Sequence, residues 1–157
     1  MKSLFSRFSE IAISSVGYLA EVYDEDTAVY SSAEIAEARK LTQIFVAKVL
    51  TILSKHGVVD GAKGPGGGYR LARPPQEISL WEVVHPFQAE DDEFLCPFGP
   101  GYCGTGSPCP LHDYIVAVRE RNEAFLKLTN LDTFQAAAKR RDSHLTRTKR
   151  SGKSKVT

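Results

Sequence analysis

Long apolar runs are missing from this 157-residue chain. None approaches the ~18–20 residues that a membrane span requires, so no transmembrane helix is expected. Tryptophan and methionine occur once each and cysteine three times. An odd number of cysteines, all between positions 96 and 109, makes a poor disulfide framework, and a thiol-retaining cytoplasmic setting is the expectation. Neither sign of charge dominates, for the net charge is +1. That balance is uneven along the chain: residues 139–157 hold eight Lys and Arg against the single acid Asp142, which leaves residues 1–138 net acidic. With 42% apolar residues, collagen and full-length disorder are excluded, and one modest domain with an appended arm fits.

Residues 11–20 loosely imitate the core of a signal peptide. Phe5, Phe8, Ala12, Val16, Leu19 and Tyr23, however, step by three and four, which predicts a packed amphipathic helix from about 4 to 23. Ser31 and Glu34 have capping-box spacing ahead of a short helix over 32–39. Thr42 is placed to cap a third helix, whose stripe is Val46, Val49, Leu50 and Leu53, and Gly57 to stop it in a left-handed turn. Two helices joined by so few residues make a helix-turn-helix. Val58 and Val59 then begin an extended stretch, Gly64-Pro65-Gly66-Gly67-Gly68 turns it, and Tyr69-Arg70-Leu71 returns. Ser79 and Glu82 form a second capping box before a helix reaching about Val84.

A long helix is expected from near Leu111. Leu111, Ile115, Val118, Phe125 and Leu128 lie at or near heptad spacing, with Asn122 interrupting, and such a seam wants a partner, either the domain itself or a second subunit. The chain thus reads as mainly α with a small β-hairpin. A winged helix-turn-helix domain occupies 1–88 and a Cys-rich loop 89–110. A dimerisation helix and short terminal helix occupy 111–138, and a basic disordered tail 139–157.

Two motifs carry chemistry. The first is the third helix followed by a Gly-rich hairpin, a winged helix whose physics suits double-stranded DNA. The helix offers its first turns to base edges in the major groove, and a wing tip without Cβ atoms can approach a phosphate backbone, with Lys63 supplying charge. The candidate contacts are Ser31, Thr42, Gln43, Lys48, Lys63, Gly64, Pro65, Gly66, Gly67, Gly68 and Tyr69. Gln43 can pair with adenine and Lys48 can reach phosphate, whereas Phe45 is expected to pack. A nucleotide-phosphate loop would place a helix after the glycines, and here a strand-like Tyr-Arg-Leu follows. The second motif is Cys96-x6-Cys103-x5-Cys109-x2-His112. Soft ligands in a Gly/Pro loop suit a zinc site or an iron–sulfur cluster, and the spacing does not choose between them.

Together the wing, Lys63-Gly64-Pro65-Gly66-Gly67-Gly68-Tyr69, and the three cysteines before the long helix resemble the IscR/NsrR, or Rrf-two, family of bacterial transcription regulators. The resemblance covers residues from the first helix to about 135. It implies a homodimer that crosses its long helices, binds near-palindromic promoter DNA and senses iron–sulfur status, nitric oxide or redox state; repression is the expected mode of regulation, which the sequence does not fix against activation. It also implies cluster ligation by Cys96, Cys103 and Cys109. His112 is the fourth ligand if the IscR-like branch with a 2Fe–2S cluster applies, and Glu10 if the NsrR-like branch does; the 2Fe–2S form is favoured over 4Fe–4S. Six residues separate the first two cysteines where many members have five. Ala47 stands where IscR-like proteins can carry an acid that discriminates targets, so their target preferences do not transfer. A zinc-stabilised nucleic-acid binder is the alternative. An enzyme is not expected, because His56, His85 and His144 stand apart from the cysteines and no catalytic triad or carboxylate pair is visible.

Overall fold

The order of elements follows from caps and stripes in the sequence. The computed structural model describes residues 5–23, 28–88, 103 and 106–151, with the backbone alone from 142 onward. Helix α1 spans Arg7–Glu21, and it starts later than expected because Ser6 caps it, accepting from the Ser9 amide. Helix α2, Ser32–Arg39, begins at the predicted capping box. Ser31 and its backbone amide hold the Glu34 carboxylate, and those two hydrogen bonds keep that carboxyl below its ordinary pKa. Lys40 then adopts a left-handed conformation (φ 53°), and α3 runs Gln43–Lys55. Gly57 at φ 70° terminates it.

Strands β1 (Val59–Ala62) and β2 (Gly68–Leu71) pair antiparallel, with Val59 opposite Leu71 and Ala62 opposite Gly68. A third chain segment joins this hairpin. Tyr30, just before α2, exchanges both backbone hydrogen bonds with Tyr69 at 2.9 and 2.8 Å. Its backbone passes so close to β2 that a Cβ on Gly68 would stand 2.6 Å from the Tyr30 carbonyl carbon. At the tip, Gly64 and Gly66 take positive φ values of 95° and 75°, which L-residues rarely adopt.

A short 3-10 turn (Pro75–Glu77) leads to α4, Leu80–Val84, started by the second capping box as expected, and a further 3-10 turn (His85–Phe87) follows it. Helix α5 spans His112–Leu128 and α6 spans Asp132–Ser151. The core gathers α1, α2 and α3 with the base of the hairpin: Val16, Ile35, Val46, Val49, Leu50, Leu53 and Val58 are fully buried. Leu126 and Leu131 complete the same cluster from the far end of α5. The chain at 129–131 is stitched to the start of α4, Leu80 donating to Thr129 at 2.8 Å and Leu131 to Ile78 at 3.0 Å. Helix α6 then returns to α1, where the Phe134 ring packs on Gly17, 3.1 Å from where a Cβ would stand.

The basic tail corrects the sequence reading. Of the tail expected over 139–157, residues 139–151 continue α6 rather than forming a disordered arm, and 152–157 lie outside the described residues; what was expected as a short terminal helix is 20 residues long. The reason is propensity joined to an anchor. Ala136, Ala137, Ala138 and the following Lys and Arg are good helix formers, and Phe134 and the Arg141–Glu21 ion pair fix the helix on α1.

The Tyr30 approach generates a specific expectation. Gly68→Ala should destabilise the protein by roughly 1–3 kcal/mol through overpacking against backbone that cannot rotate away. Denaturant unfolding of the variant checks this, and an unchanged midpoint would contradict the packing of Tyr30 on β2.

Candidate nucleic-acid interface and cysteine site

The inward stripe of α3 determines what the helix presents outward. Because Val46, Val49, Leu50 and Leu53 are wholly buried, Gln43, Ile44 and Lys48 are left exposed. Thr42 stands at the N-cap in extended conformation, but its hydroxyl makes no cap bond and is exposed. No acid stands in the first turn of α3. Phe45, expected to pack, is 39% exposed and meets the Phe8 ring edge-on at 6.1 Å between centroids. Lys48 holds its ammonium 5.1 Å from the same ring, so Phe8 steadies two neighbours on α3. Sequence reasoning placed Phe8 on the packed face of α1 and did not foresee this outer role.

The wing residues divide into tip and base. Lys63, Gly64, Pro65 and Gly66 are exposed at the tip. Gly67 and Gly68 are tight packing positions: a Cβ on Gly67 would lie 2.3 Å from the Ala62 carbonyl oxygen, and Gly68 is buried under Tyr30. Tyr69 is half-buried, its hydroxyl 3.4 Å from that of Thr51 on α3. Gly68 therefore builds the hairpin, whereas Tyr69 is half-buried with its hydroxyl at the surface. Ser31 is also engaged: its hydroxyl donates to Glu34 at 2.7 Å and accepts from the Glu34 amide. The carboxylate beside it opposes a phosphate at that position.

Of the cysteines, Cys96 lies outside the described residues, as does most of the loop around it. Cys103 and Cys109 are buried and share a small cluster apart from the main core. Cys103 is held in a left-handed conformation (φ 54°) by a turn in which it donates to Ser107 and accepts from Gly106. Its Sγ lies 3.2 Å from His112 Nδ1. His112 is the first residue of α5, placed there by a turn in which its amide donates to the Cys109 carbonyl at 2.9 Å. Among the described residues, no three His, Cys, Asp or Glu side chains converge as a metal-ligand group. Glu10 is exposed in the first turn of α1.

Helix α5 buries only Leu126 fully, and its apolar residues are otherwise largely outside. Leu111, Tyr114, Val118, Phe125 and Leu128 are 46%, 74%, 67%, 49% and 84% exposed. With Arg121 these positions alternate strictly by three and four. Ile115, expected in the seam, is only partly exposed, and Tyr114 takes its place. Counting strictly in heptads from Leu111 would have found Tyr114 in the sequence.

Three helices with a hairpin wing, a recognition helix exposed at its first turns, and a long helix carrying an outward apolar seam define a winged helix-turn-helix protein. The profile of the Rrf2 family, described as "Iron-dependent Transcriptional regulator", matches residues 5–137, and the chain belongs to that family of transcriptional regulators. It is 32% identical over 130 residues to a protein of Aquifex aeolicus (strain VF5) named as an HTH-type transcriptional regulator, covering 82% of this chain and 88% of that one. The HTH-type transcriptional regulator IscR of Klebsiella pneumoniae (strain 342) is 29% identical over 103 residues, 66% of this chain and 63% of its own. Among solved structures, T. potens IscR superposes with a TM-score of 0.69 at 21% identity, covering 87% of this chain and 88% of its own. CymR, the global cysteine regulator of B. subtilis, gives 0.69 at 18% identity, covering 87% and 98%. These structural likenesses concern the fold.

Proposed function

We propose that this chain is a homodimeric repressor that binds near-palindromic promoter DNA and whose operator affinity follows the state of an iron–sulfur cluster. The observation that carries the reading is the approach of Cys103 Sγ to His112 Nδ1 at 3.2 Å, at the first residue of the helix that bears the exposed apolar seam. Two buried thiols and an imidazole have the donor chemistry a cluster needs, and Cys96, Cys103, Cys109 and His112 would hold it. His112 is preferred to Glu10 because it already adjoins a candidate thiol ligand; a thiolate–histidine set suits a 2Fe–2S centre. When bound, the cluster supplies one-electron redox chemistry and reactivity towards nitric oxide. The protein's part is to bury the thiols and to tie the imidazole to the start of α5.

The dimer reading rests on the seam of α5. Leaving Tyr114, Val118, Phe125 and Leu128 in water is costly, and a second copy laid across the same stripe would cover them. Two-fold symmetry would then set two recognition helices about one DNA turn, ~34 Å, apart. Because the chain just after α5 is hydrogen-bonded to the start of α4, a change at His112 would be passed along α5 to α4 and the core beneath it.

Protein purified without oxygen should be brown, and should lose its visible absorption on exposure to nitric oxide. Cys96→Ala, Cys103→Ala, Cys109→Ala and His112→Ala should each lose most of the bound iron and sulfide after anaerobic reconstitution. A colourless protein with stoichiometric zinc would overturn the sensing role.

On DNA, Lys63→Ala should weaken binding similarly across operator sequences and make the salt dependence shallower by about one unit, as expected for one lost phosphate contact. Gln43→Ala should instead relax preference at one base pair, by roughly 1–3 kcal/mol. A Lys63→Ala variant that changes sequence preference with an unaltered salt slope would reverse the two assignments.

Light scattering at micromolar concentration should give a dimer for the wild type and a monomer for Val118→Asp, which places a charge in the seam. A monomeric wild type would remove the dimer and with it the two-site operator.

A further inference from the structure

Ile44 is the surface feature that neither the core nor the helix caps account for. It is the second residue of α3 and 76% exposed, although Val46, Val49 and Leu50 on the same helix are completely buried. Its neighbour Phe45 has a partner in the Phe8 ring, and so does Lys48. On an α-helix, Ile44 shares one face with Ala47 and Lys48, three and four residues on. The small Ala47 leaves room beside the isoleucine for a flat group to approach. Lys48, one turn on from Ile44, carries positive charge on this face with its ammonium over the Phe8 ring, and no acid stands in the first turn. Ile44 is the most exposed apolar side chain of this face, beside the partly exposed Phe45 and Phe8 and the single cation Lys48.

Within the major groove, the one apolar group on a base edge is the C5-methyl of thymine. We infer that Ile44 is a specificity-determining residue that reads a thymine in each operator half-site through that methyl, with Ala47 giving clearance and Lys48 facing the adjoining backbone. The inference rests on the proposed DNA-binding function and adds to it a base and a chemical group. Ile44 contributes no hydrogen bond, so its discrimination is against the loss of a methyl, distinct from the paired hydrogen bonds expected of Gln43.

The experiment uses full-length protein, with operator duplexes recovered by selection from a random pool. Each thymine is replaced singly by 2′-deoxyuridine, which removes the methyl and leaves base pairing intact. For the wild type, one replacement per half-site should weaken binding roughly threefold or more, the worth of one methyl withdrawn from water. Ile44→Ala should bind the thymine and uracil duplexes equally, within twofold. Lys63→Ala, altered on the wing, should retain the full methyl dependence, and Ile44→Ala should melt with the wild type because the side chain is exposed. Wild-type indifference to every replacement overturns the inference, as does an Ile44→Ala variant that keeps the wild-type methyl dependence. Sequence-preferring binding with no methyl dependence sinks only the role of Ile44. An absence of any sequence-preferring duplex binding by the wild type sinks the proposed function as well.

Discussion

The burial of a single stripe on α3 is the constraint from which the rest of the molecule follows. Val46, Val49, Leu50 and Leu53 are each withdrawn completely from water, and each such burial is worth roughly 1.5–3 kcal/mol. Rotating the helix by even one residue would exchange these side chains for Gln43, Lys48 or Thr51. The core therefore decides which residues α3 can show to a partner. Phe8 on α1 sets the outer limit of the exposed face by supporting Phe45 and Lys48, and Gln43 and Ile44 remain beyond it.

A second set of contacts makes the C-terminal helices part of the same body. The chain between α5 and α6 pairs with the start of α4, and Leu126 and Leu131 lie in the main cluster. Glu21 at the end of α1 joins Arg39 of α2 at 2.9 Å and Arg141 of α6 at 2.7 Å. Surface pairs of this kind are individually weak, and what matters here is that one carboxylate holds three helices in register. Helix α5 is consequently anchored at its far end and begins at a thiol–imidazole contact. Its exposed seam lies between those two fixed points. Under the proposed function, an event at the cysteines would act through α5 on α4 and the core that α4 packs against.

Much of the fold was legible because its signals are local. Two capping boxes, a four-residue stripe and a glycine terminator each operate within a turn or two, and α2, α3 and α4 begin where those residues place them. The wing was equally legible, since five consecutive Gly and Pro residues leave few alternatives to a turn. Local rules also misled. Low apolar content after residue 138 implied an arm, whereas helix propensity and the Phe134 anchor extend α6 to Ser151. The half-buried state of Ile115, and the place of Tyr114 in the seam instead, depend on which side of α5 meets the domain, and that orientation is settled by Leu126 and Leu131.

By itself the sequence determined the element types, their caps, the buried stripe of α3 and the Gly-rich wing, because these depend on backbone propensity and on hydrophobic periodicity among near neighbours. Only the tertiary structure decided which glycines are packing positions and which are free. Gly68 is needed because the Tyr30 backbone, contributed from the other side of α2 and α3, passes within 3 Å of where a Cβ would stand. The pairing of Cys103 with His112 and the isolation of Ile44 beside the supported Phe45 are decisions of the same kind. Each arises where segments distant in the chain meet, and no spacing along the chain encodes how closely two such segments approach.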